Sequence, residues 1–490
     1  MAEPRGARSP QAAPASLAQR LGQIPDVVEV LAREADLFAY ESDGLTLLRG
    51  RPGMVVFPTS TQAVIEIVSA CNDERVPFVA RGAGTGLSGG ATPVDGCVLI
   101  EFSRMDRVLE IDPVNRTATV QPGIINAKLS ELVEPMGLLY APDPSSQTAC
   151  TIGGNIAENS GGPHTLKYGT TSPHVLVLEV VLPDGSLVML GRRDGHNHGY
   201  DLRGLLVGSE GTLGIVTSAI VRLVPLPETV CTLLASFADL VSACRAVSSI
   251  IGQGIVPAAL ELMDDHTIEA VEASVFAAGY PRDASAVLLL EVDGRKASVA
   301  AERAQIERLL HAHDAIEVRV ARDDVEREAL WRGRKGAFGA MGRLAPDLYV
   351  HDAVVPRTQL PQVVGKINQA ASQRGIRIAN ILHAGDGNLH PNIPFDRRDA
   401  DQMAHVREMG AEILRICIDA GGVLSGEHGI GIEKRDYMRM LFTETDLEPM
   451  RWVHDVFDPE DSCNPGKVIP APRACAESNP RHRGYAKVDF

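Results

Sequence analysis

Residues 81–90 read RGAGTGLSGG, and the dozen residues after them decide the fold. Within the loop, GTGLSG (84–89) matches the pattern G-x-G-x-x-G, and the apolar stretch VPFVA (76–80) precedes it as a Rossmann strand should. A dinucleotide fold needs a helix to open on the last glycine, so that its first amide groups aim at the pyrophosphate. Here ATPVDG (91–96) is turn chemistry and CVLIEF (97–102) is another strand-like run. A nicotinamide Rossmann site is therefore disfavoured. A glycine-rich loop can instead turn consecutive backbone N–H groups inward as an anion nest, which holds a pyrophosphate without a helix.

The chain around the loop sets its context. With 490 residues, 44% hydrophobic and 22% charged, it exceeds what one core usually fills, so two or more domains are expected. A net charge of −16 leaves no basic footprint for nucleic acid or an anionic membrane. The cysteines at 71, 97, 150, 231, 244, 417, 463 and 475 include no C-x-x-C pair. That argues against an iron–sulfur cluster or zinc ribbon held by this chain and suits a reducing cytoplasm. The start, MAEPRGARSPQAAPAS, lacks the apolar run of a signal peptide, and no stretch of about 18 apolar residues occurs later. Neither secretion nor a membrane span is expected.

Residues 1–16 and 471–490 read as flexible ends. Between Pro58 and Pro227, glycine-rich turns alternate with short strands and one clear helix, TSTQAVIEIVSACNDERV (59–76). Thr59 and Gln62 have capping-box spacing there, and Ala63, Val64, Ile67, Val68 and Cys71 form the apolar stripe. PLPET (225–229) reads as a boundary. Beyond it come strands and longer helices such as MAHVREMGAEILRICIDAGG (403–422), where Val406, Ile413, Leu414, Cys417 and Ile418 keep helical spacing before a Gly-Gly stop. The expectation is an α+β protein with one domain over 17–227 and a second, built on an antiparallel sheet, over 228–470.

In that second domain, HAGDGNLH (383–390) lies between IRIANIL (376–382) and LHPNIPF (389–395), a strand, tight turn, strand pattern. Asp-Gly favours a two-residue turn. With Asp386 and Gly387 as that turn, His383 falls directly opposite His390, and opposed Cβ atoms lie roughly 4.5–5.5 Å apart on one face. Both imidazoles could reach one ion, and Asn392 points to the same side. The alternative is a turn whose two histidines are solvated or bonded to backbone. Further on, VLSGEHGIGIEKRDYM (423–438) carries a Glu-His pair among glycines that let backbone approach another group closely, ahead of a helix. Glu427 could complete a His₂Glu set, and three protein ligands mark a catalytic rather than a structural site.

Three more segments fit the use inferred for 81–90: PDPSSQTACTIGGNIAENSGG (142–162), KYGTT (167–171) and VGSEGTLGIVT (207–217). Singly, each reads as turns. In this order and at these intervals, the first half resembles the FAD-binding domain of the vanillyl-alcohol oxidase/para-cresol methylhydroxylase (PCMH) superfamily, a non-Rossmann fold. The resemblance implies that loop 81–90 holds the FAD pyrophosphate and that the other segments line the flavin. It assigns to FAD Arg81, Gly82, Ala83, Gly84, Thr85, Gly86, Leu87, Ser88, Pro144, Ser145, Thr151, Gly154, Asn159, Glu210, Gly211 and Ile215. Asn464 of NPGK (464–467) closes the site, so the last part of the second domain returns to the flavin. Relatives with covalent flavin often have histidine in the first loop. This loop has none, so FAD is expected to be non-covalent.

The second half, with LWRGRKGAFGAMGRLAPDLYVHDAVVP (330–356), HAGDGNLH, GEHGIG and NPGK, resembles the FAD-linked 2-hydroxy-acid dehydrogenases, most closely the glycolate-oxidising branch. The resemblance implies a divalent metal, zinc foremost, on His383, His390 and Glu427, and substrate contacts from Asn392, His428 and Arg334. The ion eases deprotonation of the substrate hydroxyl, His428 is the general base, and hydride passes from C2 to flavin N5. Arg343 is a second candidate carboxylate anchor, with an exposed helix arginine as its alternative. Relatives acting on the five-carbon diacid have threonine and lysine where this chain has Phe338 and Val350. An apolar pair cannot compensate a second carboxylate, so glycolate or D-lactate is favoured over D-2-hydroxyglutarate. The resemblance also implies iron–sulfur and flavin companion subunits as electron acceptors, in the cytoplasm or on the inner face of the membrane. Two readings from other classes are a His₂Glu metallohydrolase, which leaves the four glycine segments without a role, and a non-catalytic flavin subunit, which should lack the full His and Glu set.

Overall fold

The computed structural model describes residues 14–196 and 198–472. The flexible ends expected at 1–16 and 471–490 therefore lie almost wholly outside the described residues, as does Cys475. Within the first of them, Ala15 and Ser16 instead open a helix, Ala15–Leu21, that buries Leu17 and Leu21. Among the described residues no helix is long and apolar enough to cross a membrane.

Two compact units divide the chain. One comprises Met1–Ser160, Thr170–Pro225 and Glu427–Phe490; the other comprises Gly161–Gly169 and Leu226–Gly426. The excursion of Gly161–Gly169 into the second unit has no signature in the local sequence.

In the first unit the strands Val27–Leu31, Met54–Pro58, Val98–Glu101 and Phe78–Arg81 lie side by side in that order. The first pair is antiparallel and the other two pairs are parallel. Helix Thr61–Glu74 connects Met54–Pro58 to Phe78–Arg81 and buries Ala63, Val64, Ile67, Val68 and Cys71, the expected stripe. Its cap is one residue later than expected. Ser60 accepts from the Ala63 N–H at 3.2 Å, because the Thr59 hydroxyl is already donated to the Asp26 carbonyl at 3.0 Å. No helix separates Arg81 from Val98, so the GTGLSG match is not a Rossmann turn. A second, antiparallel sheet runs Val108–Asp112, Thr117–Val120, Ile215–Arg222, Val175–Val181, Leu187–Gly191. Helix Ile152–Glu158 seats Ile152 and Ile156 in that sheet's core.

The second unit is an eight-stranded antiparallel sheet. Its path runs Glu317–Val320, Thr229–Phe237, Ala286–Gly294, Ala259–Asp264, Ala379–His383, Asn388–Phe395, Asp347–Val350, and Ala353–Val354 pairs with Asn388–Phe395. Ala259–Asp264 is buried at every position and Ala286–Gly294 at all but its last, so both faces of these central strands are covered. The helix expected over 403–422 spans Ala400–Asp419. It begins earlier because the Asp399 carboxylate caps it, accepting from the Asp401 and Gln402 N–H groups.

Candidate active site

The first unit holds a cleft of about 660 Å³, lined among others by Arg81, Gly82, Gly90, Thr151, Gly153, Gly154, Glu158, Glu210, Gly211 and Ile215. Loop 81–90 leaves strand Phe78–Arg81 to enter it. The Arg81 guanidinium donates to the Ser42 carbonyl at 2.9 Å and the Ala91 carbonyl at 3.3 Å, bracing the loop rather than reaching across the cleft. A Cβ on Gly82 would stand 2.3 Å from the Thr151 Oγ, so the loop backbone lies directly against the N-cap of helix Ile152–Glu158. Close backbone approach at a helix start, in a concave site, is what a diphosphate group needs.

Seven of the residues assigned to FAD from sequence meet in this cleft: Arg81, Gly82, Thr151, Gly154, Glu210, Gly211 and Ile215. Ala83, Gly84, Thr85, Gly86 and Leu87 form the more open part of the loop, and Ser88 is fully buried at its end. Pro144 and Ser145 are half-buried in a turn closed by the Gln147 N–H on the Pro144 carbonyl. They do not line the cleft. Asn159 is the left-handed C-cap of helix Ile152–Glu158, and its side-chain oxygen accepts from the Ser172 N–H at 2.8 Å. Asn464 ties two loops together, its amide donating to the Gly90 and Glu210 carbonyls at 3.0 and 2.6 Å. Lys167 and Tyr168 of KYGTT belong to the second unit, where both bond the Asp293 carboxylate.

Glu210, together with Glu158 and Lys467, which the sequence reading left unassigned, gives the cleft its electrostatics. Burial pushes the Glu210 carboxyl up to about 7 against the pull of the Ile430 and Gly431 N–H groups. Burial, and then the neighbouring Glu210 charge, hold Glu158 well above the usual carboxylate range, a shift that favours its protonated form. Burial lowers Lys467 to about 8; its ammonium donates to the Gly90 and Thr92 carbonyls at 2.6 and 2.5 Å. Glu158 and Lys467 both stand inside the quoted motifs, GNIAENSGG and NPGK, but a motif does not say which of its polar side chains is buried.

In the second unit the hairpin differs from expectation in register. Its strands are Ala379–His383 and Asn388–Phe395, joined by the four residues Ala384–Gly387 rather than by Asp386–Gly387 alone. His383 pairs with Asn388, and His390 with Ile381. The shift is two residues, and because side chains alternate with period two, both histidines keep the same face as diagonal neighbours. Their ring centroids lie 5.2 Å apart and their planes are perpendicular, at 89°. Asn392, opposite Ala379, shares that face.

Each ring has its Nδ1 committed. His383 Nδ1 bonds the Glu261 carboxylate at 2.7 Å, and His390 Nδ1 bonds the His351 carbonyl at 3.1 Å. This fixes the tautomer with the lone pair on Nε2 in both, the arrangement that prepares histidine for a metal. The donor chemistry thus fits a divalent ion. Glu261 also meets Arg334, Nη2 to Oε2 at 2.5 Å, with both side chains fully buried. Arg334 Nε and Nη1 have no hydrogen-bond partner among the described residues. Buried guanidinium N–H groups require an acceptor, so a ligand or water belongs there. The Asn392 carbonyl oxygen is likewise buried without a partner.

Phe338 lies edge-on to His390, centroids 6.1 Å apart, and Val350 pairs with Asn392. Both departures noted in the sequence therefore flank this face. Arg343 is exposed, just past the short helix Ala337–Met341. Glu427 and His428 come directly after Gly426, whose N–H bonds the Asp352 carboxylate at 2.9 Å; the helix expected after them is only a 3₁₀ turn, Arg435–Tyr437, and a single α-turn, Met438–Leu441.

Residues 52–191 match the family model of an FAD binding domain, and residues 226–468 match that of FAD linked oxidases, C-terminal domain. The chain is 44% identical over 463 residues to the glycolate oxidase subunit GlcD of Escherichia coli strain K12, covering 94% of this chain and 93% of that one. It is 32% identical to a D-lactate dehydrogenase of Anaerostipes hadrus, covering 86% and 90%. A crystal structure of p-cresol methylhydroxylase with substrate bound superposes with a TM-score of 0.77 at 16% identity, covering 94% of this chain and 98% of that one. That likeness concerns the fold, a PCMH-type domain followed by an antiparallel-sheet domain.

Proposed function

This chain belongs to the family of FAD-linked oxidases, and on that premise we propose that it oxidises a small 2-hydroxy monocarboxylate, glycolate or D-lactate, to the 2-oxo acid. The observation that carries the reading is one sheet face bearing two histidines with Nδ1 committed, beside a buried arginine whose Nε and Nη1 have no acceptor among the described residues. A 2-hydroxy acid offers that face a hydroxyl to be deprotonated and a carboxylate to be anchored.

Arg334 anchors the carboxylate by a charge-assisted hydrogen bond from Nη1, while Glu261 neutralises its charge at Nη2. Asn392 orients the substrate from the same sheet face. His428 accepts the hydroxyl proton on a ring nitrogen, since imidazole titrates in the range a base needs. Phe338 and Val350 exclude a second carboxylate, which would lie there unpaired. Arg343 is left a surface residue. Non-covalent FAD, held by the residues of loop 81–90 and of the cleft, supplies the acceptor for the hydride that leaves C2. A divalent ion such as zinc, on His383, His390 and Glu427, would supply Lewis acidity toward the substrate hydroxyl.

One similar protein is by name a subunit. With no C-x-x-C pair in the sequence and no Rossmann turn after strand Phe78–Arg81, electrons leave this chain for oxygen or for another protein. Companion subunits carrying iron–sulfur or flavin centres are the proposed acceptors. The test is a screen of 2-hydroxy acids, both enantiomers, with a dye as acceptor. Turnover of glycolate or D-lactate, fast with dye and slow with air, is expected. Inactivity toward every monocarboxylate, or turnover confined to the diacid, overturns the reading.

A further inference from the structure

Outside the reacting groups, the first unit contains a buried carboxyl pair, Glu158 and Glu210, that takes no part in the hydride or proton transfer. Glu210 stands in the left-handed region, φ 53°, on the loop after helix Leu202–Leu206. Its carboxylate turns toward the segment just after His428. Oε1 accepts from the Ile430 N–H and Oε2 from the Gly431 N–H, each at 2.7 Å. Two consecutive backbone amides held by two oxygens of one carboxylate fix the direction of the chain there, not only its position.

The surrounding contacts are equally specific. The Ser88 carbonyl, at the end of loop 81–90, accepts from the Ile432 and Glu433 N–H groups at 3.0 and 3.1 Å. Gly429 and Gly431 have φ of 89° and 53°, and a Cβ on Gly429 would stand 2.4 Å from a Glu158 oxygen and 2.8 Å from a Glu210 oxygen. A Cβ on Gly431 would stand 2.0 Å from the Ser88 carbonyl. The spacing of glycines in GEHGIG is thus explained by the carboxyl pair and the Ser88 carbonyl that the loop presses against.

We propose that Glu210 is a positioning residue for oxidation of the 2-hydroxy acid: by clamping the amides of Ile430 and Gly431, it sets the loop that presents Glu427 and His428, while Glu158 packs against the same loop. The proposal rests on the reading of His428 as the base. Its geometry, a carboxylate from one flavin loop and a carbonyl from another gripping residues 430–433, stands apart from that reading. Glu158 Oε2 is buried without a hydrogen-bond partner among the described residues, and burial favours the protonated form of this carboxyl. Other charged groups close to the pair are Asp43, Lys434 and Lys467.

Glu210→Gln and Glu210→Ala, made in the full-length holoenzyme, test this by hydrogen exchange and kinetics together. A glutamine keeps one oxygen for one amide and turns an NH₂ toward the other. Exchange at the amides of Ile430 and Gly431 should rise in both variants, more in the alanine, when each is compared with the parent at equal flavin loading. kcat should fall roughly ten- to a hundredfold, the equivalent of one charge-assisted hydrogen bond, with KM changing less. The pH dependence of kcat should shift, as it would not if Glu210 merely filled space. Unchanged protection at 430 and 431 at equal flavin loading, or unchanged kcat of the flavin-loaded glutamine variant, would overturn the proposal. His428→Gln is the parallel arm. Full activity there defeats the choice of base, while raised exchange in the Glu210 variants would still establish the clamp.

Discussion

Glu261 shows what a single residue contributes that its neighbours in sequence do not reveal. Within the strand sequence ALELMD it is one of two carboxylates, fully buried, while the other, Asp264, caps the following helix. Its partners, Arg334 and His383, lie far along the chain, so no local pattern announces the Arg334–Glu261–His383 series. Glu261→Gln should leave Arg334 uncompensated at a cost of about 3–5 kcal/mol, read as a lower unfolding free energy. Metal affinity, measured by chelator competition, should fall about 10–100-fold through the loss of the Nδ1 partner. At Glu158 and Glu210 the effect has the opposite sign. Both carboxyls are raised in the folded chain, so folding binds protons there and this contribution to stability weakens as pH rises from the ordinary carboxylate range through about 7. In flavin-depleted protein, Glu158→Gln should therefore raise the unfolding temperature at pH 8 and leave it little changed at pH 5. A fall at pH 8 would contradict the raised carboxyl at Glu158.

Elements were legible in the sequence where periodicity alone governs them. Helix Thr61–Glu74, helix Ala400–Asp419 and the strand, turn, strand order around HAGDGNLH were each expected within a few residues. The hairpin register was not, because Asp-Gly is a turn signal on its own, whereas here Ala384 and Gly385 also leave the ladder, their N–H groups bonding the Leu260 carbonyl of the next strand. The site survived the error since a slip of two preserves the face; a slip of one would have turned both histidines away. Tertiary contact also decides Gly161–Gly169, where His164 and Lys167 read as loop residues yet grip strand Ala286–Gly294. Glu291 there accepts from Arg327 through two bonds at 2.9 Å, from Trp331 at 2.7 Å and from Thr232 at 2.6 Å, with His164 at 3.4 Å. Burial pushes this carboxyl up, but the hydrogen bonds from His164 and Arg327 outweigh it and hold the group well below the usual carboxylate range. Its stabilisation is complete above that range and is lost as pH falls toward the lower folded value. Glu291→Gln should cost roughly 3–5 kcal/mol at pH 7, and the difference from the parent chain should shrink on acidification; an unchanged difference at low pH would contradict this.

For the whole molecule, PLPET lies at a change of unit, but residues 427–470, expected in the second domain, fall in the first unit; the flavin fold could be read from glycine segments in a fixed order. Their spacing was legible because backbone geometry demands glycine at set places. The buried charges that tune each unit were not, since burial is a property of the folded chain. The cleft residues belong to the first unit, as do Glu427 and His428, whereas His383, His390, Asn392 and Arg334 belong to the second. His390→Ala should accordingly keep its flavin, released as free FAD on denaturation, and lose turnover by at least about a hundredfold. The central claim, that a small 2-hydroxy acid reduces FAD on this chain with the help of a metal, meets its most direct test in one anaerobic measurement. Protein is mixed with glycolate or D-lactate, without any acceptor, and flavin absorbance is recorded for the parent chain, for metal-stripped protein and for His390→Ala. The account predicts rapid bleaching in the parent alone, restored in the stripped protein by adding back a divalent ion. Equal bleaching in all three, or none in the fully flavin- and metal-loaded parent, would contradict it.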